Sequence, residues 1–174
     1  MRLTVEATDH VQGPDHATTT VIEYGDFECP TCKLAAAPVK MLLERFPQQI
    51  RFVFRHFPLE EPHPHALLAA EAAESAGAQG RFWEMHDMLF SHQTHLKLAD
   101  LLRYGTELGL DVARYKNDLD DHIYLQRVRE HIADGRRLHL RATPTFFVNG
   151  VLTDVSFGMG ALHDAVVQAV QQHH

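Results

Sequence analysis

The chain has two cysteines, and both fall in the four residues Cys29-Pro30-Thr31-Cys32, directly after a run, Thr20-Val21-Ile22-Glu23-Tyr24, that reads as a buried strand. Proline is favoured in the first turn of a helix, where its missing N–H costs nothing and its fixed φ suits the helix. Pro30 therefore predicts a helix beginning at that residue, with Cys29 at its N-cap. A sulfur then stands where Ser or Asp usually accepts the first free N–H groups, and the partial positive charge of the helix end favours the thiolate. Cys32 lies one turn further on the same face, close enough for a disulfide to close without rebuilding the backbone.

Two cysteines can also be small buried hydrophobes, or half of a zinc site. A structural zinc needs four ligands, and the sequence has no second CxxC and no CxxC…HxxxH pair, so no metal and no cofactor is expected. A CxxC set between a strand and a helix points instead to thiol–disulfide chemistry.

At 174 residues the chain suits one domain, or one domain carrying a large insertion, and can bury a core without a disulfide staple. Sixteen Lys and Arg stand against 23 Asp and Glu, a net charge of -7 with no long basic run, which argues against a nucleic-acid partner. The first ten residues, Met1 to His10, lack the apolar core of a secretory signal, and no segment approaches the roughly 18 apolar residues of a membrane helix, so no membrane partner is expected. The expected location is the cytosol, where a CxxC pair is catalytic rather than a structural disulfide. The closing His173-His174 reads either as native or as the remnant of a tag.

Along the chain, Leu3 to Glu6 suggests a short strand and Gly13-Pro14-Asp15 a turn. A strand spans about 18–24. A helix over about 30–46 carries the apolar stripe Leu34, Val39, Leu42, Leu43 and Phe46, with Pro38 expected to kink it. A second strand, Ile50 to Phe57, is closed by Pro58. From 62 to 140 only helical patterns occur, over about 63–77, 81–91, 98–108, 111–119 and 122–138. Strand signal returns at Thr145 to Val148, Asn149-Gly150 is a strong hairpin signal leading into Val151 to Val155, and a last helix covers about 159–171.

This order, with Cys29-Pro30-Thr31-Cys32 and Ala142-Thr143-Pro144-Thr145-Phe146-Phe147-Val148-Asn149-Gly150, resembles the DsbA-like branch of the thioredoxin superfamily over nearly the whole chain. The resemblance implies an α/β, thioredoxin-like fold with a DsbA-type all-helical insertion: residues 1–61 and 141–174 forming the two parts of the thioredoxin-like domain, and 62–140 the insertion. It implies that Cys29 is the attacking thiol and Cys32 the resolving one, and that Pro144 is the family's cis-proline. Thr143 would then present its backbone to an extended peptide, a β-augmentation mode of binding, with Pro30 and Thr31 also facing substrate. Glu23 matches an acid that lies beneath the second cysteine and moves its proton, a task suited to a buried carboxylate. Without the resemblance, Glu23 can also be read as an edge-strand carboxylate reaching solvent. Asp26 and Glu28 are expected to be more exposed and, near the sulfur, to oppose the thiolate by like-charge repulsion.

Two departures from the oxidising archetype bear on direction. Thr31 replaces a His whose imidazolium helps the thiolate, and Thr143 replaces a Val, as in reductases and isomerases of the superfamily. Lowering a thiol pKa from about 8.5 to the archetype's value of about 3.5 takes roughly 7 kcal/mol, of which a helix end supplies about 0.3–2. Without the cationic His this chain is expected to reach part of the way, giving a potential between about -120 and -270 mV and a reductase or isomerase role. The substrates implied are protein or small-molecule thiols and disulfides, glutathione among them; the oligomeric state is not specified.

The chain holds 14 histidines, of which His63-Pro64-His65 is the tightest group before the closing His173-His174. Most read as solvated or capping. Phe82, Trp83, Met85, Met88 and Phe90 read most simply as core of the helical insertion, or as the lining of an apolar groove. Two further readings stand beside the oxidoreductase. One is a glutathione-binding kappa-class transferase or isomerase, against which Cys32 argues. The other is a non-catalytic peptide-binding redox sensor, which a turnover assay separates.

Overall fold

The computed structural model describes residues 3–172; His173-His174 lies outside them. Its elements are β1 (His10–Gln12), β2 (Thr19–Gly25), α1 (Pro30–Arg45), β3 (Ile50–His56), α2 (Ala66–Ala78), α3 (Phe82–Ser91), α4 (Leu98–Glu107), α5 (Val112–Asp120), α6 (Leu125–Arg137), β4 (Thr145–Val148), β5 (Val151–Thr153) and α7 (Gly160–Gln171). The chain divides into two compact units. One comprises the residues up to Gly25, Leu34–Arg55 and those from Ala142 onward; the other comprises Asp26–Lys33 and His56–Arg141.

In the first unit the strands form one sheet in the order β1-β3-β2-β4-β5. β2 and β3 are interior strands buried at every position but one, so Val21-Ile22 and Phe52-Val53-Phe54 run on as adjacent apolar residues instead of alternating. β4 runs antiparallel to β2, with Val21 opposite Val148 and Glu23 opposite Phe146. The hairpin to β5 turns at Asn149 and Gly150, whose φ values of 49° and 81° are both positive, as a type I′ turn requires. Asn149 also ties the turn to β2: its N–H donates to the Thr20 carbonyl at 2.9 Å and its Oδ1 accepts from the Thr20 N–H at 2.8 Å. β5 ends early, at Thr153, where the Asp154 carboxylate accepts the Ser156 N–H and turns the chain. α7 packs on β2, β4 and β5 through Leu162, Val166 and Val170, spaced four residues apart on one face.

Residues 3–6 form no strand, which corrects the expectation for that segment; the short strand is β1, antiparallel to β3. The cause is a side chain. Buried Arg55 donates to both Asp9 oxygens, from Nε at 3.0 Å and Nη2 at 2.7 Å, to the Tyr24 hydroxyl at 3.0 Å, and from Nη2 to the Thr4 carbonyl at 2.8 Å. The Thr4 carbonyl thus bonds to a guanidinium rather than to a ladder, while the Glu6 N–H donates to Asp9 in a turn.

In the second unit α2 is central and packs on α3, α4, α5 and α6. Six of its seven alanines, Ala66, Ala69, Ala70, Ala72, Ala73 and Ala76, are buried. The five helices begin and end within three residues of the expected positions. Phe82, Met85 and Phe90 are buried in the core of this unit, while Trp83 and Met88 are half-buried. Polar groups enclosed with them are matched: the Ser75 hydroxyl donates to Asp118 at 2.7 Å, the Tyr115 hydroxyl to the Leu101 carbonyl at 2.7 Å, and His56 Nε2 lies 3.1 Å from Glu74. His56, His86 and His131 are buried, so the solvated reading fails for them; His56 and His86 fill space beside Phe27, Phe82 and Phe90 as aromatic rings, and His131 stacks on His56.

Candidate active site

β2 ends at Gly25, residues 26–29 make a turn, and α1 starts at Pro30. Within the turn the Cys29 N–H donates to the Asp26 carbonyl at 3.1 Å, and the Cys29 carbonyl accepts the Lys33 N–H at 3.2 Å, the first bond of the helix. Cys29 therefore stands at the helix N-terminus, where the free N–H groups and the dipole favour an anionic sulfur. Both cysteines are buried: Cys29 is 6% exposed and Cys32 1%. Pro30 and Thr31 are exposed. Thr31 Oγ1 lies 3.0 Å from Cys29 Sγ, and toward a thiolate, which has no proton, the hydroxyl is the donor.

Three contacts inside the second unit hold this turn. The Phe27 ring, 1% exposed, packs against His56, His86 and Phe90 with centroids 5.0–6.0 Å away. The Asp26 carboxylate accepts from the Glu28 N–H at 2.7 Å, the Leu59 N–H at 2.8 Å and His63 Nδ1 at 2.8 Å. The Gln93 side-chain amide donates to the carbonyls of Phe27 and Cys29, at 3.0 and 2.7 Å.

Asp26 is 1% exposed, which corrects the expectation that it faces solvent. Its hydrogen bonds draw it inward, and burial pushes its pKa above the usual carboxylate range although those bonds oppose the shift. Glu28 is half-buried and pairs with His65, whose Nδ1 lies 3.0 Å from Oε2. His63 and His65 are thus bound to the two carboxylates that precede Cys29, and the turns they make delay the start of α2 to Ala66.

Glu23, Thr143 and Pro144 belong to the first unit. Glu23 is 3% exposed on interior strand β2, so the edge-strand reading of it fails. Gly25 makes room for its carboxylate: a Cβ there would lie 2.6 Å from Glu23 Oε2 and 2.5 Å from the Phe54 ring. Thr143 is buried, the Thr143–Pro144 peptide bond is cis, and β4 begins at the next residue. Among the described residues no group of three or more His, Cys, Asp and Glu side chains is placed to hold a metal ion. Sequence reasoning misread Asp26 as exposed and missed Gly25 and Gln93. The close spacing of His63 and His65 was the one available signal for the pairing of Asp26 and Glu28; Gln93 carried none.

A family model described as thioredoxin matches residues 5–166. Curated relatives include an Na(+)/H(+) antiporter NhaA 1 of Salinispora arenicola, 49% identical over 161 residues, and an NhaA 3 of Salinispora tropica, 46% identical over 161 residues. Each match takes in 92% of this chain and 24% of the relative, so the chain spans about a quarter of the length of these proteins. No described helix is long and apolar enough to cross a membrane. Among solved structures, oxidised BdbD of Bacillus subtilis superposes with a TM-score of 0.84 at 22% identity, covering 92% of both chains. A thioredoxin-like oxidoreductase of Silicibacter pomeroyi DSS-3 superposes with a TM-score of 0.83 at 28% identity, covering 95% of this chain and 94% of that one.

Proposed function

This chain belongs to the thioredoxin family, and we propose that it is a DsbA-like thiol–disulfide oxidoreductase that exchanges disulfides through a mixed disulfide on Cys29. The observation that carries the reading is the placement of Cys29 at the start of α1, with the Thr31 hydroxyl 3.0 Å from its sulfur and Cys32 one turn on. The Cys29 thiolate attacks one sulfur of a substrate disulfide; that S–S bond breaks, and the departing thiolate takes a proton. Cys32 gives its proton to Glu23 and attacks Cys29 Sγ, releasing the second substrate thiolate, which is then protonated. The substrate gains two electrons and the pair becomes a disulfide, which an external dithiol reduces.

Reductase or isomerase work is the proposed direction, in a reducing compartment such as the cytosol, with protein or small-molecule disulfides as substrates, including those of glutathione. The support for direction is Thr31, which is uncharged, and Thr143. Charge repulsion from Asp26 and Glu28 contributes less than their positions in sequence suggest, because both carboxylates are engaged by hydrogen-bond donors. Thr143 and Pro144, just before β4, are proposed to pair with an extended peptide, with Pro30 and Thr31 exposed to meet it. The antiport named for the long relatives is not assigned to this chain.

Insulin reduction by dithiothreitol tests the reading. Catalytic turnover by the wild-type protein, lost in Cys29→Ser, is expected; one equivalent reduced per protein would make it a stoichiometric sensor. Equilibration with glutathione is expected to give a potential between about -120 and -270 mV, and a value above that range would reverse the direction.

A further inference from the structure

We propose that Gln93 is a positioning residue of the thiol site: it clamps the backbone turn that presents Cys29 and thereby sustains the thiolate. This rests on the reading of Cys29 as the attacking thiol. Gln93 lies between α3 and α4 and is half-buried. Its Nε2 is 3.0 Å from the Phe27 carbonyl oxygen and 2.7 Å from that of Cys29. Both neighbours only accept, so the nitrogen end of the amide must face them, and its two N–H groups match the two oxygens one to one.

The placement has a chemical consequence. Bonds to these two oxygens fix the peptide units that follow Phe27 and Cys29, and so hold the sulfur where the free N–H groups of the helix end favour its anion. The Cys29 carbonyl also accepts the Lys33 N–H, so the bond from Gln93 falls on the peptide unit that opens α1. Asp26 holds the same turn from its other side by accepting the Glu28 and Leu59 N–H groups. With two carbonyls held by Gln93 and the Glu28 amide by Asp26, the turn is fixed on both kinds of backbone group. Cys29 Sγ then stays at the helix start and beside Thr31 Oγ1. Gln93 touches no reacting sulfur and acts only through this turn.

The test compares Gln93→Met, which keeps the length and loses the donors, with Gln93→Glu, which keeps the shape and puts an acceptor against two acceptors. Both are made in a Cys32→Ser background, so that the ultraviolet thiolate absorbance titrates Cys29 alone. Expected at a pH below the midpoint is a roughly tenfold smaller thiolate fraction in Gln93→Met and a larger loss in Gln93→Glu, with the rate of attack on a small disulfide falling in step. Lower stability with an unmoved titration would show a merely structural contact and overturn the proposal. Should the Met variant not fold, the Glu variant decides; failure of both to fold would also overturn it. The titration needs no substrate, so a wild-type protein without turnover would refute the proposed function and leave the titration to judge Gln93, whereas intact turnover with an unmoved titration would refute the Gln93 assignment alone.

Discussion

Replacing Asp26 with Ala removes one buried carboxylate and leaves the three donors that converge on it, the Glu28 and Leu59 N–H groups and His63 Nδ1, without their acceptor. An orphaned buried donor costs about 1–3 kcal/mol. Glu28 and Leu59 are half-buried, so water recovers part of this and the lower end applies to each, about 1 kcal/mol. The His63 side chain, 18% exposed, rehydrates at little cost. The sum is a loss of about 2 kcal/mol. With a urea m-value of about 1–3 kcal/mol/M, the unfolding midpoint should fall by roughly 1 M. A fall of less than about 0.3 M at unchanged m would refute the reasoning.

The same residue sets a pH dependence whose sign is fixed. Because burial raises the Asp26 pKa in the native protein, the native state still holds the proton at pH values where the unfolded chain has lost it. Its contribution to stability is then fully present below the unfolded value of about 4 and is lost as pH rises through the native one. Asp26→Asn cannot ionise, so its stability curve should lack that fall. Parallel curves for the two proteins from pH 4 upward would show that Asp26 titrates alike in both states.

Three further outcomes are expected. Cys32→Ser should accumulate a mixed disulfide through Cys29 with glutathione disulfide, seen by mass; equal trapping through Cys32 in Cys29→Ser would contradict the order of attack. Glu23→Gln should slow release of that intermediate while leaving the first attack nearly unchanged, and an unaltered release rate between pH 6 and 9 would remove Glu23 from the proton path. Asp9→Ala leaves the buried Arg55 guanidinium uncompensated and should cost about 3–5 kcal/mol in urea unfolding; a double replacement of Asp9 and Arg55 by apolar residues should cost less.

Much of this protein was legible in its sequence because the signals involved are local. A proline inside Cys29-Pro30-Thr31-Cys32 marks a helix start through its own φ and its missing N–H, and α1 begins at Pro30. Asn149-Gly150 marks a hairpin because two neighbouring residues must both take positive φ. The apolar spacing of the helices outlines α2 to α6 because side chains three and four residues apart share a face. Tertiary structure alone decided the contacts that bridge distant residues. Gln93 meets the Phe27 and Cys29 carbonyls across 66 and 64 residues of chain, His63 meets Asp26 across 37, and Arg55 meets Asp9 across 46. Each of these side chains is polar and sits where a surface residue would be equally at home in the sequence, so no periodicity or motif singles it out. Asp26 shows the reason most plainly: an aspartate after a strand reads as solvated, and only the arrival of the Leu59 N–H and the His63 ring supplies donors that let its carboxylate lie buried.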